Sequence, residues 1–157
     1  MSTRDLAALP KAHLHLHLEG GMRPATLGEL AGRYGVPVPE ISGYGSFTAF
    51  ADTYLAACAV LQTEDDLRRV VRERLEDDAT DGAVWSEPSF YPPHHRARLG
   101  ADEHIIDLVL DEGLRVSAEL GIGFGLMLAA DRTEDPADAV VIAHQAVARR
   151  DRGVVSF

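Results

Sequence analysis

Residues 12–18 (Ala-His-Leu-His-Leu-His-Leu) alternate strictly between two kinds of side chain, which is the period of a β-strand. The pattern then turns helical. Pro24 fits a helix start, Thr26 to Tyr34 continue the helix, and Gly35 stops it. Pro37 and Pro39 mark a loop. Residues 47–61 carry Phe47, Phe50, Tyr54, Ala57, Val60 and Leu61 on one i, i+3, i+4 stripe. Thr63 is placed to cap a helix from about Glu64 to Thr80, which Gly82 ends. Ala83 to Phe90 reads as a short strand closed by Pro92-Pro93. Ala101 to Leu120 is helical, with Gly121 after it. Ile122 to Ala130 is an apolar run, read as a strand despite Gly123 and Gly125. Pro136 opens a last helix to about Arg150, and Gly153 to Phe157 begins a fourth strand.

Short apolar strands that alternate with long helices imply a parallel sheet built from β/α units. The fold class expected is therefore α/β. A (β/α)8 barrel needs about 250 residues, so four strands in 157 residues correspond to the N-terminal half of one. Residues 1–157 read as a partial barrel domain, truncated at its C-terminus, because a sheet edge left bare at Phe157 is unusual for a natural domain. Exposed half-barrel edges of that kind would favour self-association.

Composition narrows the function classes. Asp and Glu outnumber Lys and Arg by 25 to 15, for a net charge of −10, and such a surface repels phosphate backbones. Nucleic acid is not an expected partner. Cys58 is the sole cysteine, which excludes a disulfide framework and a thiolate zinc cluster. The N-terminus lacks the apolar core of a signal peptide, and no stretch is apolar enough to span a membrane. The expected location is the cytoplasm, with no membrane partner.

The strongest chemical signal is His13-Leu14-His15-Leu16-His17-Leu18-Glu19-Gly20. Strand alternation puts residues 13, 15 and 17 on one face and the leucines on the other. Three imidazoles on an inward face are costly to bury without partners, and a metal such as zinc is the natural one. The alternative, histidines that only hydrogen-bond within a polar strand, fits a lone histidine better than this run.

Leu9-Pro10-Lys11-Ala12-His13-Leu14-His15-Leu16-His17-Leu18-Glu19-Gly20 resembles the opening of the adenosine and AMP deaminase family of metal-dependent amidohydrolases. Arg23-Pro24-x-Thr26-Leu27, the stretch Phe47 to Leu61 and Thr63-Glu64-Asp65-Asp66-Leu67 extend the resemblance over nearly the whole chain. It implies a barrel enzyme that uses Zn2+ to deaminate adenosine hydrolytically to inosine. His15 and His17 match the two zinc ligands of the first strand. Glu19 matches the acidic position near the ribose hydroxyls, and Gly20 the glycine at the strand exit. Phe47, Phe50 and Tyr54 match a helix over the substrate pocket, although such a stripe is as readily plain core. His13 departs from the usual glutamate and reads as structural.

Glu87 falls at the end of the second strand, where such barrels place site residues, but a structural salt bridge or surface role is the reading preferred for it over lining the site. His94, His95, His104 and His144 are assigned no ligand role. The family's third zinc histidine, its His-Ala-Gly-Glu glutamate, its further catalytic histidine and its zinc aspartate have no match in residues 1–157, so the segment supplies no catalytic residue. The partner implied is a small purine nucleoside. Adenine or aminodeoxyfutalosine as substrate, or an inactive truncated product, are the alternatives.

Overall fold

The computed structural model describes residues 6, 8–38 and 45–157. Pro39, expected in a loop, lies outside them. The chain opens with strand β1 (Lys11–His17) and a 3-10 turn (Glu19–Gly21), then helices α1 (Pro24–Tyr34), α2 (Phe47–Ala59) and α3 (Glu64–Thr80). Strand β2 (Ala83–Phe90) leads through a second 3-10 turn (Pro92–His95) into α4 (Arg96–Leu99) and α5 (Asp102–Leu120). Strands β3 (Gly123–Phe124) and β4 (Leu126–Leu128), helix α6 (Pro136–Ala148), a 3-10 turn (Arg150–Arg152) and β5 (Val154–Ser156) follow.

All pairings are parallel. β1 pairs with β2, β2 pairs with both β3 and β4, and β4 pairs with β5. Strand order thus follows chain order with helices between, as in consecutive units of a β/α barrel. The third expected strand is present in two pieces. Gly125 interrupts it and donates its N–H to Ser86 O. The cause is the Trp85 ring, against which the strand bends. A Cβ at Gly123 would lie 2.3 Å from that ring, and one at Gly125 2.8 Å from it and 2.7 Å from Val155.

The helix boundaries follow local chemistry. Thr63 caps α3 by accepting from Asp66 N, while Asp66 accepts from Thr63 N, a reciprocal capping box. Gly35 and Gly121 end α1 and α5 in the left-handed conformation. α3 turns Leu67, Val70, Val71 and Leu75 inward, and α5 turns Ile105, Ile106, Val109 and Leu110 inward. Burying each such side chain is worth about 1.5–3 kcal/mol. Gly113 on α5 is a close-approach site, since a Cβ there would sit 2.3 Å from the Phe124 ring. No helix among the described residues is long and apolar enough to cross a membrane.

One expectation for β1 fails. Leu14 pairs with Glu87 and Leu16 with Pro88, so two positions of β1 match consecutive residues of β2. The residue between them, His15, forms a bulge with φ 56°. The bulge breaks the two-residue period, so His13 does not share a face with His15 and His17. His13 instead pairs through Nδ1 with Asp78 of α3 at 2.5 Å, and Leu14 is 59% exposed on the other side of the sheet.

Candidate active site

The exit of β1 forms the floor of the site. After the bulge, His15 and His17 come together with ring centroids 5.5 Å apart. Neither ring makes a hydrogen bond to another described residue, and both line a cleft of about 440 Å³. Gly20, Leu27, Phe50, Tyr54 and Arg74 are also in its lining.

α2 forms one wall. Ser46 caps it by accepting from Ala49 N, which sets the helix so that Phe50 and Tyr54, one turn apart, face the cleft. Their rings are nearly parallel, at 6.4 Å and 6°. Tyr54 meets His17 edge to face at 5.2 Å. Phe47 stands outside the cleft, 79% exposed, with its ring 6.0 Å from Phe50. The aromatic stripe of α2 is thus not core. The helix buries Thr53, Ala57 and Cys58 instead.

Glu19 is fully buried, and both carboxylate oxygens are engaged. Oε1 lies 2.7 Å from His95 Nε2, and Oε2 accepts from the Tyr54 hydroxyl at 3.0 Å. Burial alone would raise its pKa, but the hydrogen bonds from His95 and Tyr54 outweigh this and hold it below the usual carboxylate range. Burial, with the Glu19 charge beside it, pushes the Tyr54 phenol up. Gly20, just after, has only ordinary contacts where a Cβ would stand.

His95 was not legible as a site residue. It sits 76 positions from its partner, and the sequence signal for it is indirect, since a carboxylate buried at Glu19 requires a donor. Phe90 stacks on its ring at 5.4 Å. Glu19, Cys58 and His95 offer donor atoms within 4.8 Å of one another. Hydrogen bonding accounts for them better than a cation does. Burial pushes the Cys58 thiol up, which keeps it protonated and a poor ligand, and the Arg98 guanidinium contacts His95 at 3.4 Å.

The other candidates fall into structural roles. Glu87 accepts from Ser156 Oγ at 2.9 Å and ties β2 to β5. His104 pairs with Glu64 at the surface, and His144 is exposed. Burial pushes His94 below the usual imidazole value. Beneath β1, Asp78 is fully buried and held by His13, Ser86 and Arg74.

The adenosine deaminase family model matches residues 10–157. The chain belongs to the adenosine deaminase family. A Streptomyces virginiae protein assigned as an adenosine/adenine deaminase is 41% identical over 165 residues, which are 98% of this chain and 49% of that one. The Arabidopsis N6-mAMP deaminase aligns with a TM-score of 0.83 at 28% identity, over 96% of this chain and 49% of its own. A Zn-bound amidohydrolase from Burkholderia ambifaria aligns with a TM-score of 0.78 at 26% identity, over 99% and 46%. The chain therefore spans about half the length of the curated relatives it matches, and its sheet corresponds to the N-terminal portion of the deaminase barrel.

Proposed function

We propose that these residues form the first half of the active site of a zinc-dependent hydrolase that deaminates adenosine to inosine. The observation that carries this reading is the pair His15 and His17. Two adjacent imidazoles without a hydrogen-bond partner among the described residues open on a cleft walled by stacked aromatic rings. The donor set fits zinc, which takes imidazole nitrogen readily and needs further ligands beyond two. Those ligands belong to the part of the barrel outside this chain. Zinc supplies a water whose pKa falls from about 15.7 toward roughly 7. Phe50 and Tyr54 offer a flat apolar surface to a purine ring, and Gly20 leaves the strand exit clear for it.

Adenine is the second reading, and Glu19 favours it. The expectation that this carboxylate meets ribose hydroxyls needs an accessible oxygen, yet both oxygens are already bonded within the protein. A free base makes no demand on it.

The test uses the protein with these residues in a complete barrel. It should bind zinc and release ammonia from adenosine. His15→Ala together with His17→Ala should abolish zinc binding. Zinc-loaded protein that converts adenine alone selects the second reading, and protein that converts neither overturns the deaminase proposal. Full zinc retention by the double variant sinks the ligand assignment.

A further inference from the structure

We infer that Glu19 is a positioning residue that acts through Tyr54, holding the aromatic wall of the cleft against His17, with His95 and Arg98 fixing the carboxylate in place. The inference deepens the deaminase reading and rests on it for what the wall receives.

The carboxylate joins three separate pieces of chain. Glu19 begins the turn after β1, Tyr54 belongs to α2, and His95 ends the turn after β2. His95 and the Tyr54 hydroxyl both point at it. A guanidinium can only donate, so the 3.4 Å contact from Arg98 makes His95 Nδ1 an acceptor. The ring proton then sits on Nε2, which faces Glu19 Oε1 at 2.7 Å. The Tyr54 hydroxyl donates to the other oxygen. Arg98 also donates to the carbonyls of Cys58, Leu61 and His94, binding the end of α2 to the turn after β2.

This tie matters because burial anchors α2 through Thr53, Ala57 and Cys58 rather than through its aromatic stripe. Phe47 and Phe50 are exposed, and the aromatic stripe of α2 faces the cleft and solvent. The Tyr54 hydroxyl is the polar link from that stripe to the end of β1. Through it, a carboxylate that hydrogen-bonds to neither His15 nor His17 sets where the Tyr54 ring stands, 5.2 Å from the His17 ring.

The experiment compares the full chain with its Tyr54→Phe and Glu19→Gln variants by NMR and amide hydrogen exchange. The parent should show His95 as the Nε2–H tautomer in its ring 15N spectrum. Tyr54→Phe removes one hydroxyl, so exchange across residues 50–59 should rise about tenfold, the equivalent of one hydrogen bond, with α3 and α5 unchanged. Glu19→Gln should cost His95 its Nε2–H signature and move the ring signals of His17, to which Glu19 makes no hydrogen bond. Should Glu19→Gln fail to fold, Tyr54→Phe decides alone, because it should also displace the His17 signals.

Exchange in Tyr54→Phe equal to the parent, or raised alike in α2, α3 and α5, overturns the inference. So do His17 signals that stay put in both variants. These readouts need neither zinc nor substrate, so they can fail or hold independently of the deaminase reading.

Discussion

His15 carries a left-handed backbone, φ 56°, that among the described residues is otherwise seen only at glycines. Such a conformation costs a non-glycine residue of order 1 kcal/mol. What the strain accomplishes is visible in the rings, since the bulge brings His15 beside His17 and turns His13 toward Asp78. The two effects separate by substitution. His15→Gly should leave the denaturation midpoint equal or higher, because glycine adopts this φ freely, while zinc binding in the complete barrel is lost. His13→Ala should lower stability by about 1–3 kcal/mol, since it removes a partner from a buried carboxylate. Chemical denaturation checks both, and an unchanged His13→Ala midpoint would refute the structural role given to His13. The bulge also marks where sequence reading stops. The structural character of His13 was legible from the motif, but its face was not, because a single positive φ leaves no periodic trace.

At the scale of the element, the boundaries of α1, α3, β2 and α5 were readable to within a residue or two, because caps and stop glycines act locally. The α2 stripe was less decidable. Spacing of three and four shows that Phe47, Phe50 and Tyr54 share a face, but not whether that face meets the core or a cleft. Thr63 offers the sharpest test of an element. Thr63→Ala removes the side-chain acceptor for Asp66 N and should cost about 1 kcal/mol. Asp66→Ala should cost more, since its carboxylate also accepts from Thr63 N, Gln62 N and the Tyr34 hydroxyl. Equal losses for the two variants, measured by urea unfolding, would mean that Asp66 serves only the cap.

Across the whole molecule, carboxylates dominate the charge and several are held in their ionised form. Burial opposes ionisation of Glu19, but His95 and Tyr54 prevail. Arg149 depresses Asp107, His104 depresses Glu64 and Arg72 depresses Glu119. A group depressed on folding binds its proton more readily when unfolded, so its contribution is present above the unfolded value and is lost as pH falls through the folded one. His94, depressed by burial, follows the same sign from its ordinary value of 6.5. Stability should therefore be level at neutral pH, decline gently below about 6.5, and fall steeply below the ordinary Glu and Asp values of 4.5 and 3.8. Unfolding free energies measured between pH 3 and 8 check this, and a curve that rises on acidification contradicts it. Fold class was legible at this scale because β/α alternation is a whole-chain signal, whereas the link between Glu19 and His95 bridges elements that no local pattern connects.

The order of the strands has a further consequence, for the time at which they are made. β2 pairs with β1, β3 and β4 with β2, and β5 with β4. Each new strand emerging from the ribosome meets a neighbour that has already been synthesised. The sheet can grow vectorially from its first strand, and the bulged histidine strand is the template on which the rest is laid down.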